Sequence, residues 1–268
     1  MGIVERAIQV VFGDTDAAAA HGPRLGRDEV ERRLAGADGQ RSLARADLTG
    51  ADLTGLNLEG VDLSGAVLRD AVLAGANLRG ANLTDACLCN ADLSRADLTN
   101  AVLANASCVR TGALRPAKLR EADLSGADAT GADFSKADLQ GAVLAGTVLD
   151  EASLHQADLR GARLPGAMLR GANLRHALAD EAVFAGADLE TADLARAVCR
   201  GANFSGAAMV RANLTGTVLE GADLSGANLA EATLEGVLLR GASLRNAVLT
   251  GADLDGVELE ACDVAGAD

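Results

Sequence analysis

Cysteine and histidine, the side chains best suited to metal binding and nucleophilic chemistry, are rare in this sequence. There are five Cys and three His among 268 residues. Cys87 and Cys89 flank Leu88 and are expected to face outward, but no second ligand pair is adjacent to them, so a four-ligand zinc site is not expected. No Ser or Thr is spaced with a base as a nucleophile pair, and no phosphate-binding loop is present. The sequence therefore predicts no enzyme, no cofactor and no metal site.

The elements that position these residues follow a five-residue repeat. From Leu43 a Leu recurs at every fifth residue to Leu103 and Cys108, and after one extra residue the series resumes at Leu114 and runs to Val264. Of the 45 repeats, 39 have Leu or Phe at this central position, and most have Ala two residues before it. The consensus is Ala-(Asp/Asn)-Leu-x-Gly. Because the chain has no Trp, no Tyr and only four Phe, its core must be built from Leu and Ala.

A period of five fits neither an α-helix nor a straight strand. On a helix the central residues would spiral round every face, and on a strand an odd step would turn alternate centres to opposite faces. The chain must therefore turn within every repeat. Ala and Leu then share the inner side of a short extended segment, the Asp or Asn between them points outward to bond nearby backbone, and Gly occupies the corner.

This consensus resembles that of the pentapeptide-repeat family over residues 43–268, seen cleanly in Ala51–Gly55 and Ala222–Gly226. The resemblance implies an all-β fold, a right-handed quadrilateral β-helix with four repeats per coil. Leu and Phe centres would fill its interior, with Ala beside them. Forty-five repeats would make about eleven coils and a rod about 53 Å long at the usual strand spacing.

Residues 1–42 do not repeat and are expected to form an N-terminal helical cap and linker, since a solenoid needs its first coil covered. An apolar stripe within residues 1–12 predicts one helix. Arg27–Leu34 predicts a second short helix, with Asp28 and Glu29 suited to its first turn. The alternative for residues 1–12 is a dimer contact or a partner-docking helix.

One extra residue breaks the five-residue phase near residues 109–113. We expect a bulge or small surface loop there, within an otherwise continuous β-helix. Basic residues surround it, including Arg110, Arg115 and Lys118. The resemblance implies a recognition loop as the functional alternative, because some members of the family carry a loop that interrupts the rod.

The remaining features bear on the core and on the compartment. Cys108 and Cys199 occupy central positions and are expected to be buried thiols. The five Cys lack a disulfide-like layout, which indicates a reducing cytoplasm.

No apolar run reaches the roughly 18 residues of a membrane-spanning helix. Glu5 and Arg6 interrupt the first apolar stretch, which is too short for a signal peptide.

Two centres are smaller than the rest. Ala129 and Ala179 replace Leu and are expected to leave locally thin packing. Phe134 and Phe184 follow one repeat later and are expected to lean in and fill that space.

The charge distribution favours a protein partner. The net charge is −14, and residues 1–45 carry seven acidic and seven basic residues, so the whole excess belongs to the repeats. Such acidity argues against direct binding to nucleic acid or to an anionic membrane. An acidic rod about as wide as a duplex resembles DNA in charge and shape.

The family resemblance implies a function of this kind. Several pentapeptide-repeat proteins occupy the DNA-binding saddle of type II topoisomerases and protect DNA gyrase from quinolones or gyrase-poisoning natural products. The alternative is a structural or scaffolding module that binds another protein and has no link to gyrase. A homodimer is expected through the last coil, because an uncapped coil exposes its edge; its centres are Leu249, Leu254, Leu259 and Val264.

Two groups of outward charges are candidate contact residues. Six acidic residues fall on one group of columns and are predicted to bind the partner: Asp128, Asp150, Glu151, Asp188, Glu190 and Glu231. A basic stripe lies elsewhere and is either a solvated face or a contact with an anion or a partner: Lys136, His155, Arg175, His176 and Arg196. The simpler interpretation of the acidic group is ordinary solubilising charge.

Overall fold

The computed structural model describes residues 23–35, 41–106, 117–259 and 261–268. Within them the chain has one helix, α1 (Arg27–Leu34), and from Ser42 to Asp263 it pairs through single-residue parallel β-bridges instead of longer strands. The helix predicted within residues 1–12 lies outside the described residues. No helix of the described part of the chain is long and apolar enough to cross a membrane.

Each repeat folds as one bridge residue followed by a two-residue turn. In the repeat centred on Leu53, Asp52 is the bridge residue, and Thr54 and Gly55 form the turn. The N–H of Leu56 donates to the carbonyl oxygen of Leu53 at 3.1 Å and closes the corner. Gly55 has φ 64°, as the third position of a type II turn requires. The predicted corner is confirmed, and among the described residues 18 that are not glycine also adopt positive φ.

Successive coils are related by twenty residues. Asp52 bridges Val72, and Lys118 bridges Asp138, always in parallel register. Four repeats therefore make one coil, and the chain is a right-handed quadrilateral β-helix, as predicted. We name its sides A to D in chain order, so that A is opposite C and B is opposite D. In the coil of residues 117–136 the centres of sides A, B, C and D are Leu119, Leu124, Ala129 and Phe134.

The phase break is larger than one residue. Asp92 bridges Lys118, and Val102 bridges Asp128, so these partners are 26 residues apart instead of 20. The ladder therefore passes over six residues, which is one whole repeat plus one residue. Five of these six residues make a complete repeat and leave the five-residue period unchanged. The sequence therefore revealed an insertion of only one residue. Residues 107–116 lie outside the described residues, so the loop and recognition alternatives remain predictions.

The interior is a continuous column of apolar centres. Apart from the last coil, the described centres from Leu43 to Leu244 are buried, including Phe134, Phe184, Ala129 and Ala179. Where Thr replaces the inner Ala, its hydroxyl needs a partner inside the rod. The two such hydroxyls donate to backbone carbonyls one coil below, from Thr147 to Leu124 at 2.7 Å and from Thr217 to Leu194 at 2.8 Å.

Helix α1 covers the first coil, as predicted. Val30 on its inner face is fully buried, and Leu25 just before it is 4 % exposed. The N–H of Leu25 donates to the carbonyl oxygen of Asp47 at 2.7 Å, which satisfies an edge carbonyl of the coil. The Arg27 guanidinium donates to the carbonyl oxygen of Thr54 at 3.0 Å. The helix thus closes the rod by both apolar packing and backbone hydrogen bonds.

The last coil is packed differently. Leu254 and Val264 occupy central positions, yet they are 37 % and 44 % exposed. Leu249 and Leu259 are half-buried and pack against the core. The described end of the rod therefore presents apolar centres to solvent.

Candidate protein-interaction surface

The outer surface is dominated by Asp and Asn side chains that bond their own turns. The Oδ1 atom of Asp128 accepts the backbone N–H of Thr130 at 3.0 Å, and the same atom of Asp188 accepts that of Glu190 at 3.1 Å. The sequence expectation that these side chains bond nearby backbone is confirmed. Much of the acidity therefore has a structural use, since the carboxylates hold the corners in shape.

All six predicted contact residues lie on side C. Asp128 and Asp188 are bridge residues, and Asp150 and Glu190 each follow a central residue. Glu151 and Glu231 occupy corners with positive φ. Their coils span five steps of about 4.8 Å, or about 24 Å along the rod. The structure thus places the six residues on one side, but over a length too great for a compact pocket.

Side C is the most acidic side of the rod. It carries a net charge of −5 in the described residues, against −2 or −3 on each of the other sides. Its charged residues are Asp62, Asp85, Asp128, Asp150, Glu151, Asp188, Glu190, Glu231 and Asp268, with Arg41, Arg45, Arg170 and Arg211. This asymmetry makes side C the surface best suited to a cationic partner.

Two arginines on side C, which the sequence argument overlooked, neutralise part of this charge. The Arg170 guanidinium lies 3.4 Å from Asp188 and 2.7 Å from Glu190. Arg211 lies 2.6 Å from the other carboxylate oxygen of Glu190. The backbone N–H of Arg170 donates to Asp150 at 2.9 Å. Both arginines could have been found in the sequence, because Arg170 lies twenty residues from Asp150 and from Glu190, and Arg211 lies twenty residues from Glu231.

Glu151 and Glu231 remain available on the same side. Both are exposed, and neither is within ion-pair distance of a basic side chain in the described residues. Each occupies a corner beside a corner glycine of the next coil, Gly171 or Gly251. Of the six predicted residues, these two are the most suited to contact a partner.

The predicted basic stripe lies on side D. The rings of His155 and His176 meet edge to face with centroids 5.7 Å apart. Arg175 is paired with Asp193 at 3.0 Å, which removes part of its charge. Lys136 and Arg196 occupy exposed corners of the same side. The stripe is therefore contiguous, but its role in binding remains a prediction.

The cysteine expectations were partly wrong. Cys87 and Cys89 hold outward register positions on side D, but they are 4 % and 0 % exposed. Their sulfur atoms lie 3.2 Å apart, and Cys87 bridges Val67 in the coil below. Each short thiol therefore lies against the other and does not project into solvent. Cys199 is buried as predicted, and burial raises the pKa of its thiol to about 12; Cys108 lies outside the described residues.

One surface cleft has a volume of about 510 Å³ and lies on side A. It is lined by Ala74, Gly75, Ser94, Arg95, Arg120 and Glu121. The Arg95 guanidinium is paired with Glu121 at 2.9 Å. No group of three His, Cys, Asp or Glu side chains in the described ranges is placed to hold a metal ion.

The ladder, the corners and the Leu column together define a solenoid with a square section. Eight copies of the family model for pentapeptide repeats match the chain, over residues 46–85, 57–95, 81–111, 114–144, 137–175, 157–195, 192–230 and 227–266. The chain belongs to the pentapeptide-repeat family. Members of this family are in general structural or protein-interaction modules.

Several solved structures are similar to the chain. HetL, a pentapeptide repeat protein involved in heterocyst differentiation in the cyanobacterium Nostoc, is 31 % identical, with 91 % of this chain and 95 % of HetL covered and a TM-score of 0.33. A thylakoid-lumen pentapeptide repeat protein of Arabidopsis thaliana is 35 % identical over 40 % of this chain and 70 % of its own, with a TM-score of 0.34. Full-length QnrB1, a plasmid-mediated fluoroquinolone resistance protein, is 15 % identical over 83 % and 90 %, with a TM-score of 0.32. No curated protein sequence matches the chain.

Proposed function

We propose that this protein is an acidic rod that binds a DNA-binding enzyme through side C, and that the enzyme is a type II topoisomerase such as DNA gyrase. The observation that carries the proposal is the concentration of charge on side C, −5 in the described residues. A surface that binds the DNA phosphates is cationic, and an acidic rod of similar width competes for it. Occupancy of that surface would protect the enzyme from drugs that act on its DNA complex.

The charge density of the rod sets the character of the contact. Duplex DNA carries one charge per about 1.7 Å, whereas side C carries its net charge over about 50 Å. Electrostatic attraction to the rod is therefore weaker than to DNA. Hydrogen bonds and apolar contacts between coils and partner must supply much of the affinity, and the salt dependence should be shallower than that of DNA.

The charge-reversal variant that tests side C must leave its ion pairs intact. Reversing Asp188 or Glu190 would remove the partners of Arg170 and disturb the fold. The double variant Glu151→Lys and Glu231→Lys changes the same surface without breaking an ion pair. The matched control is Glu181→Lys with Glu235→Lys, two exposed glutamates on sides A and D.

A supercoiling assay with purified DNA gyrase, with and without a quinolone, tests the proposal. We expect the wild-type rod and the control to change the inhibition by the drug, and the E151K/E231K variant to lose that effect. Wild-type protein that has no effect on gyrase, alone or with the drug, would favour the scaffolding alternative, in which side C binds another protein.

The exposed last coil supports self-association as part of this function. Leu254 and Val264 present apolar side chains at the described end of the rod, and a second copy stacked there would cover both. Asp253 and Asp255 lie beside them and would repel a copy of themselves, so salt should strengthen this contact. A Leu254→Lys variant should reduce end-to-end association in light scattering at high protein concentration and high salt. A strictly monomeric wild-type rod under those conditions would contradict it.

A further inference from the structure

Side A carries an outward ladder of apolar residues. Leu178, Val198, Val218 and Leu238 occupy the bridge position in four successive coils and bridge one another in that order. Leu178 is 38 % exposed and Leu238 is 52 % exposed, while the two valines between them are half-buried. In most coils the bridge position holds a polar residue, so this ladder is an unusual apolar strip on the outside of the rod.

A column of alternating charge runs beside this ladder. Two residues further along each strand segment lie Asp180, Arg200, Glu220 and Arg240, again in successive coils. Arg200 is 3.2 Å from Glu220 and 3.7 Å from Asp180, so three of these four side chains lie close together within the column. Side A thus presents parallel apolar and charged strips of the same length.

We propose that side A is the contact surface for a second copy of this chain, packed across a two-fold axis that runs parallel to the strand segments between the coils of Val198 and Val218. This operation reverses the order of the coils but keeps each strip opposite itself. Leu178 then faces Leu238 of the partner, and Val198 faces Val218. In the charged strip, Asp180 faces Arg240, and Arg200 faces Glu220.

The pattern selects this symmetry over the other face-to-face arrangement. A two-fold axis along the rod would keep the order of the coils. Midway between the strips it would place each apolar strip opposite a charged strip, which costs desolvation without pairing, and over the apolar strip it would leave the charged strips unpaired. The proposed axis pairs apolar with apolar and acid with base at all four levels. At the next level Asp158 would meet Glu258, and this limits the contact to four coils.

The size of the contact predicts a weak dimer. Four coils of about 4.8 Å and one side of the square give a contact on the order of 300 Å² per partner, against about 800 Å² in a standard interface. Association should therefore be reversible and detectable only at high concentration. Side C is opposite side A, so the dimer leaves both acidic surfaces accessible, and this contact does not rest on the proposed function.

Sedimentation equilibrium from about 10 µM to about 1 mM tests the proposal with variants of both strips. The double variant Leu178→Lys and Leu238→Lys should lower the association constant at least about tenfold. Met168→Lys is the matched control, because Met168 holds the same register position at 40 % exposure on side C. Leu254→Lys removes the end-to-end contact and separates the two modes of association.

Charge exchange gives the sharper result. Arg200→Glu places two acidic side chains opposite each other, and Glu220→Arg places two arginines opposite each other, so each should weaken the dimer severalfold. The combined variant R200E/E220R restores opposite charges across the axis and should return association to near the wild-type value. Because the exchange also restores the pair between residues 200 and 220 within one rod, the thermal unfolding of each variant is measured beside its association, and a gain in association between rods of equal stability is the expected result. A combined variant no better than the single ones, or a Leu254→Lys protein that stays monomeric at about 1 mM, would overturn the proposal.

Discussion

Phe184 and Phe204 stack face to face inside adjacent coils of side B, with ring centroids 4.8 Å apart and an interplanar angle of 1°. Each ring follows a small centre on side A: Ala179 precedes Phe184, and Cys199 precedes Phe204. Four centres share the interior of one coil, so a small centre on one side leaves volume for a ring on the next. The stack thus arises because, in two successive coils, a small centre on side A leaves space that a Phe ring on side B fills.

Removing one ring should be costly. We expect Phe184→Ala to lower the free energy of unfolding by about 3–5 kcal/mol, because the buried ring is lost beside a centre that is already small. Phe184→Leu, which restores the usual centre, should cost less. Urea unfolding followed by circular dichroism measures both, and a loss below about 1 kcal/mol for the Ala variant would show that the ring does not fill this space.

The positive φ of the corner glycines predicts that replacing one of them lowers the stability of the rod. Gly161 has φ 66° and open space around the position of a Cβ atom, so only its backbone conformation resists substitution. Gly161→Ala should cost about 1 kcal/mol of stability. The control is Gln156→Ala in the preceding repeat, where φ is 59° and a side chain is already present. Equal losses in thermal unfolding for the two variants would contradict the assignment of this cost to positive φ.

Acid should destabilise the rod through its bonded carboxylates. Burial alone would raise the pKa of Asp158, but hydrogen bonds from Arg160 and Gln140 lower it below its ordinary value. A carboxyl with a lower pKa in the folded state than in the unfolded state stabilises the fold at neutral pH, and this contribution is lost as pH falls below about 4 through the folded value. The pKa values of Asp92 and Asp97 are lowered in the same direction.

A pH series of unfolding measurements tests this assignment. Arg160→Gln should reduce the loss of stability between about pH 5 and pH 2, because Asp158 then titrates closer to its ordinary value. Arg163→Gln, an exposed arginine in the next repeat, is the control. An unchanged acid profile in R160Q would mean that the hydrogen bonds within the turn, and not the Arg160 guanidinium, lower the pKa of Asp158.

The buried thiol at side A should be inert. Burial raises the pKa of Cys199 to about 12, so almost none is thiolate at neutral pH, and thiolate is the reactive form. We expect Cys199 to react with a disulfide reagent only at the rate of unfolding, which mass spectrometry of the labelled peptide resolves. Rapid labelling of Cys199 in the native protein would mean that the coil opens locally.

The sequence predicted the coil and the helix Arg27–Leu34 because both depend on local periodicity. The six-residue step between Val102 and Asp128 was missed because a period of five cannot distinguish one extra residue from six. Arg170 and Leu178 were missed for a different reason. The role of each depends on a residue twenty positions away. Arg170 forms an ion pair with Glu190, and Leu178 begins an apolar ladder with Val198.

Competition with DNA tests the central claim that side C binds the DNA site of a topoisomerase. Labelled duplex bound to purified DNA gyrase is titrated with the rod, and its release is followed by fluorescence anisotropy. We predict that wild-type protein and the E181K/E235K control displace the duplex, and that E151K/E231K needs at least about tenfold more protein to do so. A wild-type rod that leaves the duplex bound, or an E151K/E231K variant that displaces it equally well, would contradict the account.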